Sequence, residues 1–191
     1  MPGTSSLARA DATLRNGARF LAAGLRTQDG DSSMPAAITG RFRARVIGNG
    51  LRELDRFLDV LMDEAAPADG HRSGPAQRHT ANKLRALFPG CDRSAQEHAR
   101  LVALSRTRAC LFYCGGRVLR GDARDSAWLT VGWSDPADRT GALHRVAVGE
   151  QVAVTSEDVA DVCRFYVGIA TRIAAAQMAV APFSSASFVP S

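Results

Sequence analysis

The chain has 191 residues, 46% hydrophobic and 23% charged, which suits one soluble globular domain with a real core and excludes a disordered chain. No run of about 18 apolar residues occurs, so no helical membrane span is expected. The opening residues, MPGTSSLARADATLR, lack the apolar centre of a signal peptide, and the expected compartment is the cytoplasm. The formal net charge of +5 rests almost wholly on arginine, with Lys83 the only lysine. It mildly favours anionic partners, although arginines scattered in this way read equally well as an ordinary basic surface.

A first helix is predicted over about Ser6–Leu25, with Leu7, Leu14, Ala18, Leu21 and Leu25 marking one face. The polar, turn-rich segment Thr27–Pro35 reads as a linker. A second helix is predicted over Ile38–Ala65, with Ile47, Leu51, Leu54, Leu58 and Leu61 as its apolar stripe. Gly48 and Gly50 each weaken it by about 1 kcal/mol, for which close helix packing is one reason. Ala66–Gly74 reads as a second loop, and a short helix is predicted over Pro75–Phe88, ended by Pro89 and Gly90. A fourth helix starts near Asp92 or Ser94, where Ser94 and Glu97 fit the S-x-x-E capping box. It runs to about Tyr113, and Gly115–Gly116 suit a left-handed cap.

The period then changes. Ala127–Trp133 is rich in β-formers, with Trp128 and Trp133 read as packing anchors, and Ser134–Gly141 reads as a loop. His144–Val148 and Gln151–Val154 flank Gly149-Glu150, which reads as a tight hairpin turn. The last helix opens at Thr155 or Ser156, carries Glu157 and Asp158 in its first turn, and buries Val159, Val162, Tyr166, Ile169 and Ile173. The expected fold is therefore mainly α: a helical bundle of four to five helices with a small β-hairpin inserted before the last helix. It forms one domain over residues 1–180, with the β insertion at about 126–154 and a flexible tail at 181–191.

The four cysteines, Cys91, Cys110, Cys114 and Cys163, read as buried small hydrophobes rather than disulfides. No CxxC or HxxxH pair accompanies them, so no metal is expected. One residue breaks the helical pattern. Leu101, Leu104, Arg108, Leu111 and Gly115 fall on one line of the fourth helix, and a guanidinium on an apolar stripe must find a partner, reach water or serve chemistry. In a purely structural or interaction module, Arg108 would be held in an ion pair by Glu53, Asp55, Glu157 or Asp161.

The segment Arg108–Gly116, RACLFYCGG, resembles the signature of the HEPN superfamily. Members are helical bundles with an R-N-x-x-x-H or R-x(4–6)-H motif near the end of a long helix, often followed by glycine. Here the arginine is Arg108, the asparagine position is Ala109 and the histidine position is Tyr113. The order of glycines, V-G-E-Q-V hairpin and S-E-D-V helix start is also similar, and the likeness spans roughly Asp92–Ala176. It implies action on RNA without metal or other cofactor, usually across a homodimer, in a defence or toxin–antitoxin setting.

In such a site a histidine moves the proton of the attacking 2′-hydroxyl, and the arginine steadies the phosphate. Tyr113 can donate a hydrogen bond but is a poor base, with a free pKa of about 10. The resemblance thus implies either a metal-independent endoribonuclease or a degenerate relative that binds RNA or a partner protein. Arg108, Tyr113 and His98 are the candidate catalytic residues, and Arg93, Arg106 and Arg117 the candidate RNA contacts. Arg93–His98 is one of three arginine–histidine pairs at the motif spacing, where random placement gives about 1.4. It is the one that touches this helix.

Overall fold

The computed structural model describes residues 5–26, 37–66, 79–134 and 142–180. They form α1 (Ser6–Arg26), α2 (Arg41–Ala65), α3 (Thr80–Leu87), α4 (Asp92–Cys114), β1 (Trp128–Ser134), β2 (Leu143–Ala147) and α5 (Ser156–Val180). The mainly helical bundle with a small β-hairpin before the last helix is the architecture observed. The linker at Thr27–Pro35, most of the loop at Ala66–Gly74, the first turn expected for the third helix and the C-terminal tail lie outside the described residues.

The bundle follows from the apolar stripes. Ile47, Leu51, Leu54, Leu58 and Leu61 of α2 are all buried, as are Val159, Val162, Tyr166, Ile169 and Ile173 of α5. Each large side chain of this kind contributes about 1.5–3 kcal/mol on burial. α2 lies between α1 and α4, α1 also packs on α5, and the short α3 leans on α4 and α2. Lys83 of α3 pairs with Asp59 and Asp63 of α2 at 2.8 and 2.7 Å. Burial alone would lower the pKa of this ammonium, but hydrogen bonds to the two carboxylates outweigh it and raise the value.

The α2–α4 contact explains one of the glycines. A Cβ at Gly48 would stand 3.0 Å from both the Arg108 carbonyl oxygen and the Phe112 nitrogen, so the α4 backbone passes directly over it. Gly132 of β1 plays the same part against α4, since a Cβ there would meet Leu104 Cδ2 at 2.1 Å. Close approach, purchased with a helix-weakening glycine, brings Arg108 against α2.

The helix ends differ from expectation in an informative way. α4 starts at Asp92 with Cys91 as its cap, and no side-chain capping bond forms. Ser94 and Glu97 are not a capping box: both are buried, and both bind Arg172 of α5 instead. A tertiary partner with two matching donors displaced the local bond. A true reciprocal cap forms at α5, where Thr155 Oγ1 donates to Asp158 Oδ2 at 2.8 Å and the Asp158 N–H donates back to Thr155 Oγ1 at 3.1 Å. α4 closes with Gly115 in the left-handed region at φ 61°.

The β element also differs from the sequence reading. β1 pairs antiparallel with β2 across residues 135–141, in the register Trp128↔Ala147, Leu129↔Val146, Thr130↔Arg145, with an irregularity before Ser134↔Leu143. Gln151–Val154 is not the second arm of a hairpin around Gly149-Glu150. It returns alongside the segment leaving α4: Val118 N–H donates to Glu150 O, Val152 N–H to Gly116 O, and Arg117 bridges Gln151. The unpaired backbone after the α4 cap needs partners, and this strand-like return supplies them.

A Gly48→Val substitution is expected to lower stability by about 1–3 kcal/mol despite valine's better helix propensity, because the obstacle is backbone and cannot rotate away. Urea denaturation midpoints check this; an unchanged midpoint would show that α2 and α4 can separate at no cost.

Candidate functional site

α4 presents Arg108 toward α2, where Arg108 Nη1 donates to Asp55 Oδ2 at 2.5 Å. Asp55 also lies 3.5 Å from the Tyr166 hydroxyl of α5. Burial is the main cause that pushes the Tyr166 phenol well above its ordinary pKa, and the Asp55 charge adds to it, so Tyr166 stays a neutral donor. One carboxylate of α2 thus gathers side chains from two further helices, α4 and α5.

The ion pair is not sealed. The Arg108 side chain keeps 26% of its surface exposed, and it lines a cleft of about 350 Å³ with Asp55, His79, Asn82, His98, Ser105 and Arg106. A guanidinium carries five N–H groups, and Asp55 engages one of its nitrogens. The cleft forms because α3 reaches α4 near its first half, leaving a recess between the start of α3 and the face of α4 that carries His98, Ser105 and Arg108.

His98 sits at the far end of this recess. Its Nε2 lies 3.1 Å from Asn82 Oδ1, the contact that an Nε2-protonated imidazole makes. Burial lowers its pKa, and the charge of Arg85 adds to this, so the ring is held neutral near pH 7. A second cleft of about 790 Å³ meets the first at Asn82 and His98 and opens past Arg85, Phe88 and Cys91. Cys91 is exposed, against the expectation of a buried cysteine, because it precedes the first turn of α4. Hydrogen bonds from the Ser94 backbone are the leading cause that lowers its thiol pKa. Cys110 and Cys163 are buried as expected, and burial pushes both thiols up to about 11.

The cleft brings together Arg108, His98 and Arg106 from the sequence reading. It does not include Tyr113, which is 72% exposed and stacks edge-on against Phe112 at 5.0 Å. Five helical residues turn a side chain by about 140°, so Tyr113 looks away from Arg108 instead of standing beside it. Arg108 and His98 are ten residues apart, about 15 Å along the helix axis, so they flank the cleft without meeting at one phosphate. Arg93 leans on Glu97 at 3.0 Å and Arg106 pairs with Asp122 at 3.1 Å, while Arg117 is exposed beyond the α4 cap.

Asp55 was legible only as one of four possible partners; His79 stood in one of the three motif-spaced pairs, with Arg72, at a frequency that chance accounts for, and Asn82 and Ser105 had no signal in the sequence. Among the described residues, no group of three or more histidine, cysteine, aspartate or glutamate side chains could hold a metal ion, and no helix is long and apolar enough to cross a membrane. No family model matches the sequence, and neither a curated protein nor a solved structure is significantly similar to it.

Two outcomes are expected at this site. Asp55→Asn leaves Arg108 without its countercharge and should cost about 1–3 kcal/mol by urea denaturation; no loss would mean that the pair contributes nothing to holding α4 on α2. His98 binds a proton less readily folded than unfolded, so stability should be complete above about pH 6.5 and fall as pH drops through the depressed folded value. A His98→Gln variant should flatten that slope between about pH 7 and pH 5, and an identical slope in the variant would assign it to other groups.

Proposed function

We propose that this chain is a HEPN-like, non-catalytic RNA-binding protein whose cleft at Arg108 receives an RNA phosphate. The observation that carries the reading is a partly open guanidinium at the wall of a polar cleft, with the Ser105 hydroxyl one helical turn away and the Asn82–His98 pair at the cleft's far end. Guanidinium and phosphate match in charge and in fork geometry. Binding is preferred over cleavage on chemical grounds. Arg108 already faces Asp55, His98 is kept neutral and engaged with Asn82, and Tyr113 points elsewhere, so no acid–base pair converges on one phosphodiester. The homodimer and the defence or toxin–antitoxin setting belong to this reading through the likeness of Arg108–Gly116 alone.

A second reading has its own support. The Asp55–Arg108 contact satisfies the arginine inside the fold, as a structural or protein-interaction module requires.

Gel shift with tRNA, with and without chelator, separates the readings. Wild-type protein should retard tRNA and leave it intact. Ser105→Glu, which places a carboxylate in the cleft one helical turn from Arg108 and within reach of its open N–H groups, should weaken binding about tenfold or more. Cleavage that survives EDTA and disappears in Arg108→Ala would replace binding with nuclease activity. No retardation by wild-type protein would leave the interaction module as the better account.

A further inference from the structure

A second surface lies on the outer side of α2 and α4, beyond the cleft. Phe42 is 79% exposed and Tyr113 is 72% exposed, so two aromatic rings stand almost wholly in solvent. They belong to one face. The Arg45 guanidinium lies 5.5 Å over the Phe112 ring, and Phe112 in turn meets Tyr113 edge-on at 5.0 Å, so side chains run continuously from α2 onto the outer side of α4. Phe42 is one turn from Arg45 on the exposed side of α2.

The charge of this surface is one-sided. Arg41, Arg45 and Arg52 are spaced four and seven residues apart, which places them on one line of α2 along its border with α4. The stem of Arg41 reaches Gly115 at the end of α4, since a Cβ there would lie 2.9 Å from Arg41 Cγ. All six arginines of α4 and α5 point to acids: Arg93 to Glu97, Arg100 to Asp161, Arg106 to Asp122, Arg108 to Asp55, Arg164 to Asp161 and Arg172 to Glu97. Among the described residues, no carboxylate lies within ion-pair distance of Arg41, Arg45 or Arg52. The acids of α2 begin only at Glu53, so the first half of this helix is a row of exposed positive charge.

Unpaired guanidiniums at regular intervals beside bare aromatic rings match single-stranded nucleic acid. Its phosphates need cations along a track, and its bases offer flat faces that stack on aromatic rings whatever the sequence. An acidic peptide would use the charges and leave the two rings without purpose. A duplex would use the charges but present no free base faces.

We infer that the outer face of α2 and α4 binds single-stranded nucleic acid, with bases stacked on Phe42 and Tyr113 and phosphates on Arg41, Arg45 and Arg52. The residue at the motif's histidine position thereby acquires a binding role instead of a proton-transfer role. This surface shares no residue with the Arg108 cleft, so the two can fail separately.

Fluorescence anisotropy with labelled oligouridylate and oligothymidylate tests it across a series of salt concentrations. Wild-type protein should bind single strands more tightly than a duplex of the same length. The double variant Phe42→Ser/Tyr113→Ser removes only exposed rings, and its circular dichroism and melting should be unchanged. It should lose about fivefold or more in affinity. Arg45→Gln/Arg52→Gln should lower the slope of log affinity against log salt by about 1–2. Ser105→Glu reports on the cleft, so a loss with Ser105→Glu that the ring variant does not share would assign oligonucleotide binding to the cleft and overturn the inference. Equal losses with RNA and DNA would make the surface a general single-strand binder, and a larger loss with RNA would assign it to RNA; either supports the inference.

Failure of wild-type protein to bind either oligonucleotide at low salt overturns the inference. So does unchanged binding in the ring variant, and if Ser105→Glu alone abolished binding then, the cleft reading would stand without this one. Should sedimentation show a wild-type dimer that the ring variant makes monomeric at unaltered oligonucleotide affinity, the face is a contact between copies of the chain and the inference falls.

Discussion

The fold hinges on how α4 is held. Its apolar stripe buries Leu101, Leu104 and Leu111, but the helix also carries three half-buried ionic pins: Glu97 with Arg172, Arg100 with Asp161, and Arg108 with Asp55. Two of these reach α5 and one reaches α2. Hydrophobic contact is tolerant of sliding, whereas a charge drawn out of water without its partner costs several kcal/mol. The pins therefore fix which turn of α4 faces which turn of its neighbours.

Arginine suits this work better than lysine, because a planar guanidinium can pair, hydrogen-bond and stack at once. Arg100 pairs with Asp161, donates to the Gly132 carbonyl at 2.9 Å and lies 4.4 Å over the Phe165 ring. Arg172 binds Glu97 and Ser94 while lying 4.0 Å over Phe88. The one lysine serves where a point charge between two carboxylates suffices, on the outer contact of α3 with α2.

Arg108 differs from the other pins in its position. It stands where α3 ends its cover of α4, so its pair with Asp55 is open on one side to a cleft. The same carboxylate that makes the arginine affordable in the bundle also damps its pull on a phosphate. Transition-state stabilisation asks for an uncompensated, preorganised charge, and the charge of Arg108 is compensated by Asp55. The outer face of α2 and α4 has the opposite character, with charge uncompensated and rings uncovered.

The helices were legible in the chain because their signals are local. A stripe at 3-4 spacing, a glycine past the last turn and acids in the first turn of α5 are set by backbone geometry within a few residues, and the α1, α2, α4 and α5 bounds follow to within a few positions. The oddity of Arg108 was equally visible, since a charge on an apolar line is a conflict within one helix. Other features depended on groups remote in sequence. Ser94 and Glu97 carry a cap pattern, yet Arg172 claimed them; Gly149-Glu150 carries a turn pattern, yet the strands on either side found other partners. Asp55 could not be chosen over Glu53, and neither the cleft nor the joint face of Phe42 and Tyr113 had any mark in the order of residues. Periodicity tells a segment which of its faces to hide. Only the assembled helices decide what each face meets, because a buried polar group takes the partner that satisfies it best, however far away that partner lies along the chain.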